Sequence, residues 1–332
     1  MNRAINGVSV IICCHNSAKR LLDTLTYLAK QQIPIGFHWE LILVNNNSSD
    51  DTTELAENIW KSLGSPTTLK IVNERKAGLS YAREKGMHEA NYEFIIWCDD
   101  DNWLCDSYVQ TAYEIMNANL SIGTLGGWCE AAFKSKKPDW FDTQAKYFAV
   151  SKQGNQNGDI TNKKGCVYGA GMVLRKSHWH QLKKHGFKHL LSDRIGKKLS
   201  SGGDTEYCYA LRLLGYKVWY DERLYFKHYM TTERLSIKYV SRIRHAMNES
   251  NFTLWAYLDL LQGRTQSRSD FMKEAIKDLP RLLVRKTGAL LFGSFEQKEQ
   301  AKRYFRLLKL RLFHYSEYRR NQESIKRWLA KN

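Results

Sequence analysis

The chain has 332 residues, 43% of them hydrophobic and 26% charged, with only four prolines. That composition excludes disordered and collagen-like classes and suits a globular protein of about two domains. The formal net charge is +17, and residues 231–332 carry most of it, with 22 basic against 10 acidic side chains. A basic patch of this kind seeks phosphate, on a nucleic acid or an anionic membrane face.

No run of about 20 apolar residues occurs, so no membrane span is expected. The apolar run Val8–Cys13 is too short, and too weakly preceded by positive charge, for a secretory signal. The seven cysteines (13, 14, 98, 105, 129, 166 and 208) form no CxxC pair. Reduced, buried thiols in the cytoplasm are therefore expected, not a disulfide framework or zinc ribbon.

The first 130 residues alternate strand and helix. Val8–Cys13 reads as a buried strand, and His15-Asn-Ser17 as the N-cap of a helix over Ala18–Gln31. Trp39–Val44 is a second strand, followed by the polar turn Asn45–Asp51 and a helix to about Lys61. Leu69–Asn73 is the third strand and Gly78–Ala90 the third helix. Glu93–Cys98 is the fourth strand, running into Asp99-Asp100-Asp101. A helix over about Asp106–Asn117 and a strand over Ile122–Gly126 follow. The pattern predicts an α/β fold with a mostly parallel central sheet, flanking helices, and ligands beyond the carboxyl ends of the strands. Residues 134–170 read as loops, Ser177–His185 and Thr205–Leu214 as helices, and everything beyond 230 as helical.

No GxGxxG follows the first strand and no GxxxxGK[ST] occurs, which argues against dinucleotide and P-loop sites. Instead the second strand ends in Asn45-Asn-Asn-Ser48 and the fourth in three adjacent carboxylates. Something positive must offset that repulsion, and a hard divalent cation suits carboxylate oxygens, water and substrate phosphates. The alternative is a solvated acidic loop that caps a helix.

Four ordered segments resemble the family 2 glycosyltransferases of GT-A fold. Val8-Ser-Val-Ile-Ile-Cys-Cys-His-Asn16 stands where that family shows VSVIIPTYN, and Glu40–Thr52 where it shows a strand and VDDGSTDGT. Gly78–Gly86 and then Phe94–Trp103, with its DxD, form the third segment. Gly202-Gly-Asp-Thr-Glu-Tyr-Cys208, Arg212 and Gly215-Tyr216 match the (E)D-x-E…R…G-Y segment. The resemblance covers about residues 7–230. It implies a Rossmann-like GT-A catalytic domain over 1–230, with a nucleotide-sugar half to about 126 and an acceptor half over about 127–230. A helical, basic region over 231–332 follows.

The resemblance implies inverting transfer from a nucleotide-sugar, a UDP-sugar foremost, to an acceptor hydroxyl, assisted by Mn²⁺ or Mg²⁺. By position, Asp204 matches the catalytic base, although Gly203 replaces the Glu that often precedes it. A helix N-cap is the other reading of Asp204. Asp101 matches the direct metal ligand, with Asp99 at the ribose or the metal and His228 near the diphosphate or metal. Cys13, Asn16, Asn46, Arg83 and Asp100 fall on the nucleotide-sugar side. Asn46 replaces an acid that usually meets the base, which leaves dTDP- and GDP-sugars open; Arg83 can instead face solvent. Trp128, Gly169, Ala170, Gly171 and Glu206 fall on the acceptor side. Trp103 and Trp140 can stack on sugars or sit in the core.

His185 and His189 have the i,i+4 spacing of a zinc pair, but Gly186 interrupts the helix and no third ligand is apparent, so a basic surface helix is expected. Within 301–315, Lys302, Arg306 and Lys309 oppose a stripe of Phe305, Leu308, Leu312 and Tyr315. Residues 280–332 can therefore lie on an anionic membrane or pack on the catalytic domain. A lipid-linked or glycan acceptor, in bacterial surface-polysaccharide assembly on the cytoplasmic face of the inner membrane, fits the first arrangement by analogy alone. Two rivals remain: a metal-dependent nucleic-acid enzyme, for which no binding motif is found, and a non-catalytic membrane-associated relative, against which Asp99, Asp101 and Asp204 argue.

Overall fold

The computed structural model describes residues 5–194, 200–291 and 293–331. Its first half follows the predicted alternation: β1 (Ile5–Cys14), α1 (Leu21–Ala29), β2 (Trp39–Asn45), α2 (Thr52–Ser62), β3 (Leu69–Asn73), α3 (Leu79–Glu89) and β4 (Tyr92–Asp99). Next come β5 (Asn102–Leu104), α4 (Tyr108–Ala118), β6 (Ile122–Ala132), α5 (Phe141–Gln144), β7 (Gly158–Asp159), β8 (Val173–Arg175), α6 (Lys176–Lys184), α7 (Gly203–Leu213) and β9 (Lys217–Tyr229). The C-terminal helices are α8 (Ile237–Leu261), α9 (Arg268–Leu291), α10 (Phe295–Phe313) and α11 (Tyr315–Leu329).

The sheet runs β3-β2-β1-β4-β8-β6-β9-β5, with β7 on β9. β1 pairs parallel with β2 and β4, β2 with β3, and β6 with β9. Three short strands that sequence patterning did not anticipate run antiparallel: β8 between β4 and β6, and β5 and β7 on β9. β9 was itself missed, because its centre, Asp221-Glu-Arg223, interrupts the apolar alternation where its register against β6 shifts.

Alternation along β1 divides the interior. Val8, Val10 and Ile12 pack with α1, α2 and α4, whereas Ile11 joins α3, α6 and α7 on the other face. Tyr257 of α8 and Tyr318, Ile325 and Trp328 of α11 belong to that second core, so these helices are anchored to the sheet and its flanking helices. The basic histidine helix expected on the surface is α6, with His180, Lys183 and Lys184 exposed, but two of the histidines turn inward: His178 and His185 are buried, and His178 stacks on Tyr216 at 3.7 Å. Burial lowers the His178 pKa to about 3.

The expected amphipathic stripe moves as well. Phe305 and Leu312 of α10 are exposed, but Leu308 of α10 and Tyr315, the first residue of α11, are half-buried. The longer open apolar line lies on α9, where Met272, Ile276, Leu279, Leu283 and Leu290 are 41–77% exposed.

Candidate active site

Register brings the predicted residues to one edge. Cys13 pairs with Asp99, and Cys14, Asn45 and Asn73 fall in line across β1, β2 and β3. After Asp99 the chain turns through Asp100 and Asp101 into β5, braced by Asn102, whose Oδ1 accepts the Asp99 N–H at 3.1 Å. Pairing of Asn102 with His228 then sets His228 beside Asp101.

The repulsion among the three acids is offset in this structure by three arginines from distant elements. Arg83 of α3 lies 3.8 Å from Asp99, Arg20 lies 2.5 Å from Asp100, and Arg234 lies 2.7 Å from Asp101. Ser17 does not cap α1; its hydroxyl donates to Asp100 and the helix starts later, at Leu21. Burial, with the charge of Asp101, raises the Asp100 pKa despite Arg20. Burial would raise Asp101 too, but its contacts with His228 and Arg234 hold it well below the usual carboxylate range.

Among the described residues no group of three or more His, Cys, Asp or Glu is arranged to hold a metal. Asp99 lies toward Arg83, while Asp101 and His228 of the expected trio face each other. That pair still fits a divalent cation. The His228 Nδ1 lies 2.9 Å from the Phe148 carbonyl, so a neutral imidazole that donates there presents its Nε2 lone pair 3.2 Å from Asp101 Oδ1. Two facing acceptors call for a cation, and a backbone-anchored imidazole is the usual support for a ligating histidine. Mg²⁺ and Mn²⁺ sites commonly take one or two protein ligands, with phosphate and water completing the shell.

Arg83 is buried, not solvent-facing. Its guanidinium lies 3.6 Å from Asp193 and 4.4 Å above the Trp97 ring. Behind it opens a cavity of about 400 Å³ that Trp97, His189, Asp193 and Tyr207 help to line. Asp204 is the second residue of α7, two past the cap position expected for it, since Gly202 caps the helix. Its Oδ2 accepts the Gly169 N–H at 2.6 Å and its Oδ1 the Thr205 N–H at 2.8 Å. Gly169 is the spacer between two charged groups: a Cβ there would lie 2.6 Å from Arg83 Nη2 and 3.1 Å from Asp204 Cβ. The missing glutamate at 203 also has a local explanation. A Cβ at Gly203 would lie 2.6 Å from Asp193 Oδ2, so Asp193 fills the space of a side chain at 203.

Several expected contacts are already committed elsewhere. The Asn46 amide donates to the Glu74 and Lys76 carbonyls at 3.0 and 2.8 Å and accepts from Gly78 N at 2.8 Å, which pins the loop between β3 and α3. Asn16 Oδ1 accepts from Ser49 N at 2.8 Å and ties two loops together. Burial raises the Cys13 thiol to about 12, so it is a neutral wall. Glu206 is not free to meet an acceptor: it is fully buried and receives Leu190 N, Leu191 N and Tyr257 OH, with His189 Nδ1 at 3.1 Å. It shapes the loop that carries Asp193.

Ala170 and Gly171 are likewise interior. Gly171, at φ +69°, gives its N–H to Trp97 and receives the Tyr108 hydroxyl. Trp128 is half-buried under Lys152, and Trp103 is stacked between Tyr27 and Tyr229.

Arg20, Arg234 and Asp193 were missed by sequence reasoning. Spacing carries no signal for them, because Arg20 and Arg234 reach the acids, and Asp193 reaches Arg83, from separate parts of the chain.

Comparison with known proteins fits this geometry. The model of glycosyl transferase family 2 matches residues 9–182. Cholesterol galactosyltransferase of Borreliella burgdorferi is 32% identical over 34% of this chain and 30% of its own length. Poly-beta-1,6-N-acetyl-D-glucosamine synthase of Staphylococcus epidermidis is 26% identical over 38% and 29%. The matches thus span less than a third of those curated relatives. Among solved structures, S. aureus TarS 1-349 in complex with UDP superposes with a TM-score of 0.51 at 17% identity, covering 98% of this chain and 90% of that one. The mannosyltransferase PcManGT from Pyrobaculum calidifontis, in complex with GDP-Man and Mn²⁺, gives 0.53 at 15%, over 98% and 85%. These likenesses establish a shared fold. With more than half of its length matched by the family model, the chain belongs to glycosyl transferase family 2.

Proposed function

We propose that this protein transfers a sugar from a nucleoside-diphosphate donor, foremost a UDP-sugar, to an acceptor hydroxyl with inversion. The observation that carries the reading is the Asp204 carboxylate, fixed by two backbone N–H groups across Gly169 from Arg83, at the same edge as the Asp99–Asp101 row. Asp101 and His228 would hold Mn²⁺ or Mg²⁺, which when bound supplies charge neutralisation for the leaving diphosphate. Arg83 and Arg20 add fixed positive charge beside it. Asp204 takes the acceptor hydroxyl's proton as that oxygen attacks the anomeric carbon. With Asp204 as the one base, in-line attack by the acceptor oxygen is a single displacement and inverts the anomeric carbon.

A lipid-linked or glycan acceptor is supported by relatives named for a sterol and for a polysaccharide. Asp204→Asn tests the base. It keeps the shape, and should lower kcat by about 10²–10⁴-fold while UDP binding persists. Unchanged turnover rejects the assignment.

For the C-terminal region, an anionic membrane surface on the cytoplasmic side is the partner that fits. No helix among the described residues is long and apolar enough to cross a membrane. The open α9 line recurs at i, i+4, i+7, i+11 and i+18, about 27 Å along one face. Its flank carries Lys273, Lys277 and Arg281, and residues 268–313 hold twelve Lys and Arg against five Asp and Glu. Apolar side chains rimmed by cations complement anionic lipid, whereas two copies meeting on this face would oppose like charges. Vesicles containing phosphatidylglycerol should bind the protein, and Ile276→Asp with Leu283→Asp should abolish flotation. Flotation that survives both changes, or loss of self-association in their place, contradicts the reading.

A further inference from the structure

Three arginines face three aspartates, but they are not equivalent. Arg83 is locked by Asp99, Asp193 and the Trp97 ring. Arg20 and Ser17 share Asp100, which keeps the acidic turn in shape. Arg234 alone touches both members of the cation pair. Its Nη1 lies 2.7 Å from Asp101 Oδ2 and 3.2 Å from His228 Nε2. It stands on the short turn Thr232–Arg234 directly after β9, and its side chain is 19% exposed where that of Asp101 is 2%. The guanidinium therefore occupies the place where a divalent cation would bridge carboxylate and imidazole, and it has a way out.

We propose that Arg234 is a resident counter-ion that closes the Asp101–His228 pair in the free protein and pairs with the donor's diphosphate once a divalent cation takes that place. The inference deepens the transferase reading and rests on Asp101 and His228 as the cation's ligands. Its logic is charge balance. A dication and a guanidinium cannot both sit between the same two acceptors, since their repulsion is unscreened in a buried site. The guanidinium released by one metal ion lies beside the place where a pyrophosphate adds negative charge, and planar Arg pairs well with phosphate oxygens. The free protein would thus hold metal weakly, and donor and metal would bind together.

The test reads binding, not turnover. Free Mn²⁺ is followed by its EPR signal during titration with wild type, Arg234→Gln and Arg234→Lys, each without and with UDP. Arg234→Gln should bind Mn²⁺ alone about tenfold more tightly than wild type, and UDP at saturating Mn²⁺ about tenfold more weakly. Arg234→Lys, which keeps the charge, should stay near wild type in both. A merely structural role would weaken both affinities of Arg234→Gln together. Mn²⁺ binding to Arg234→Gln that is no tighter than to wild type overturns the proposal. Asp101→Asn separates the two levels. If it loses Mn²⁺ while Arg234→Gln gains none, only the arginine's role fails. If Asp101→Asn binds Mn²⁺ as wild type does, the ligand assignment fails and the proposal with it.

Discussion

Gly169→Ala is the smallest change that reaches the centre of the site. Gly169 has no positive φ, so alanine meets no backbone penalty there. The new methyl would lie 2.6 Å from Arg83 Nη2, 3.2 Å from Arg83 Cζ and 3.1 Å from Asp204 Cβ. Ordinary carbon contacts need about 3.5–4 Å, so Arg83 and Asp204 must part by about 1 Å between them. Arg83 cannot yield cheaply, being held by Asp99, Asp193 and the Trp97 face. Overpacking of this size costs about 1–3 kcal/mol of stability, and a misplacement of about 1 Å at the reacting groups costs about 10²-fold in rate. Steady-state kinetics with a nucleotide-sugar should therefore show kcat/KM down about 10²-fold in a protein that still folds. Gly288→Ala, where a methyl meets nothing within 4 Å, is the matched control and should leave activity intact. Wild-type kcat/KM in Gly169→Ala would refute the claim that Arg83 and Asp204 flank the reaction centre.

Two further outcomes follow from the loop beside α7. Burial pulls the His189 imidazole down, but the hydrogen bond and charge of Glu206 outweigh it and raise its pKa. A raised imidazole stabilises fully below its unfolded value of about 6.5 and loses that contribution as pH rises through the folded value. The melting-temperature gap between wild type and His189→Gln should thus be widest at pH 5.5–6 and narrow toward pH 8.5, and a gap independent of pH would contradict it. Gly203→Glu, which restores the acid usual before the base, should destabilise by about 1–3 kcal/mol in denaturant melts, because Asp193 fills that space. The loss should shrink when Asp193→Ala is added, and simple additivity would contradict the steric account.

The sequence spells out the left half of the sheet well. Apolar runs such as Val8–Cys13 and Glu93–Cys98 are buried parallel strands, and parallel strands read as continuous hydrophobic blocks. It spells out the right half poorly. β8 is three residues long, and β9 takes its strand state from pairing with β6, not from its own pattern. Asp204 and the aspartate row were legible because each is local, a motif on one element. Of the three arginines only Arg83 was, through its motif; Arg20 and Arg234 were not, because only folding brings them to the same row of acids. Glu206 shows the opposite error: its motif position suggested an acceptor contact, whereas its carboxylate is consumed by loop donors. Asn46 likewise reads as a ligand contact and serves as a brace.

The central claim is that the acidic row at the end of β4 receives the donor's diphosphate together with a cation. Anomalous diffraction from a crystal soaked with Mn²⁺ and UDP tests it most directly. The account predicts a manganese peak between Asp101 and His228 Nε2, with the diphosphate beside it. UDP bound with no peak at that pair, or bound away from the row, would contradict it.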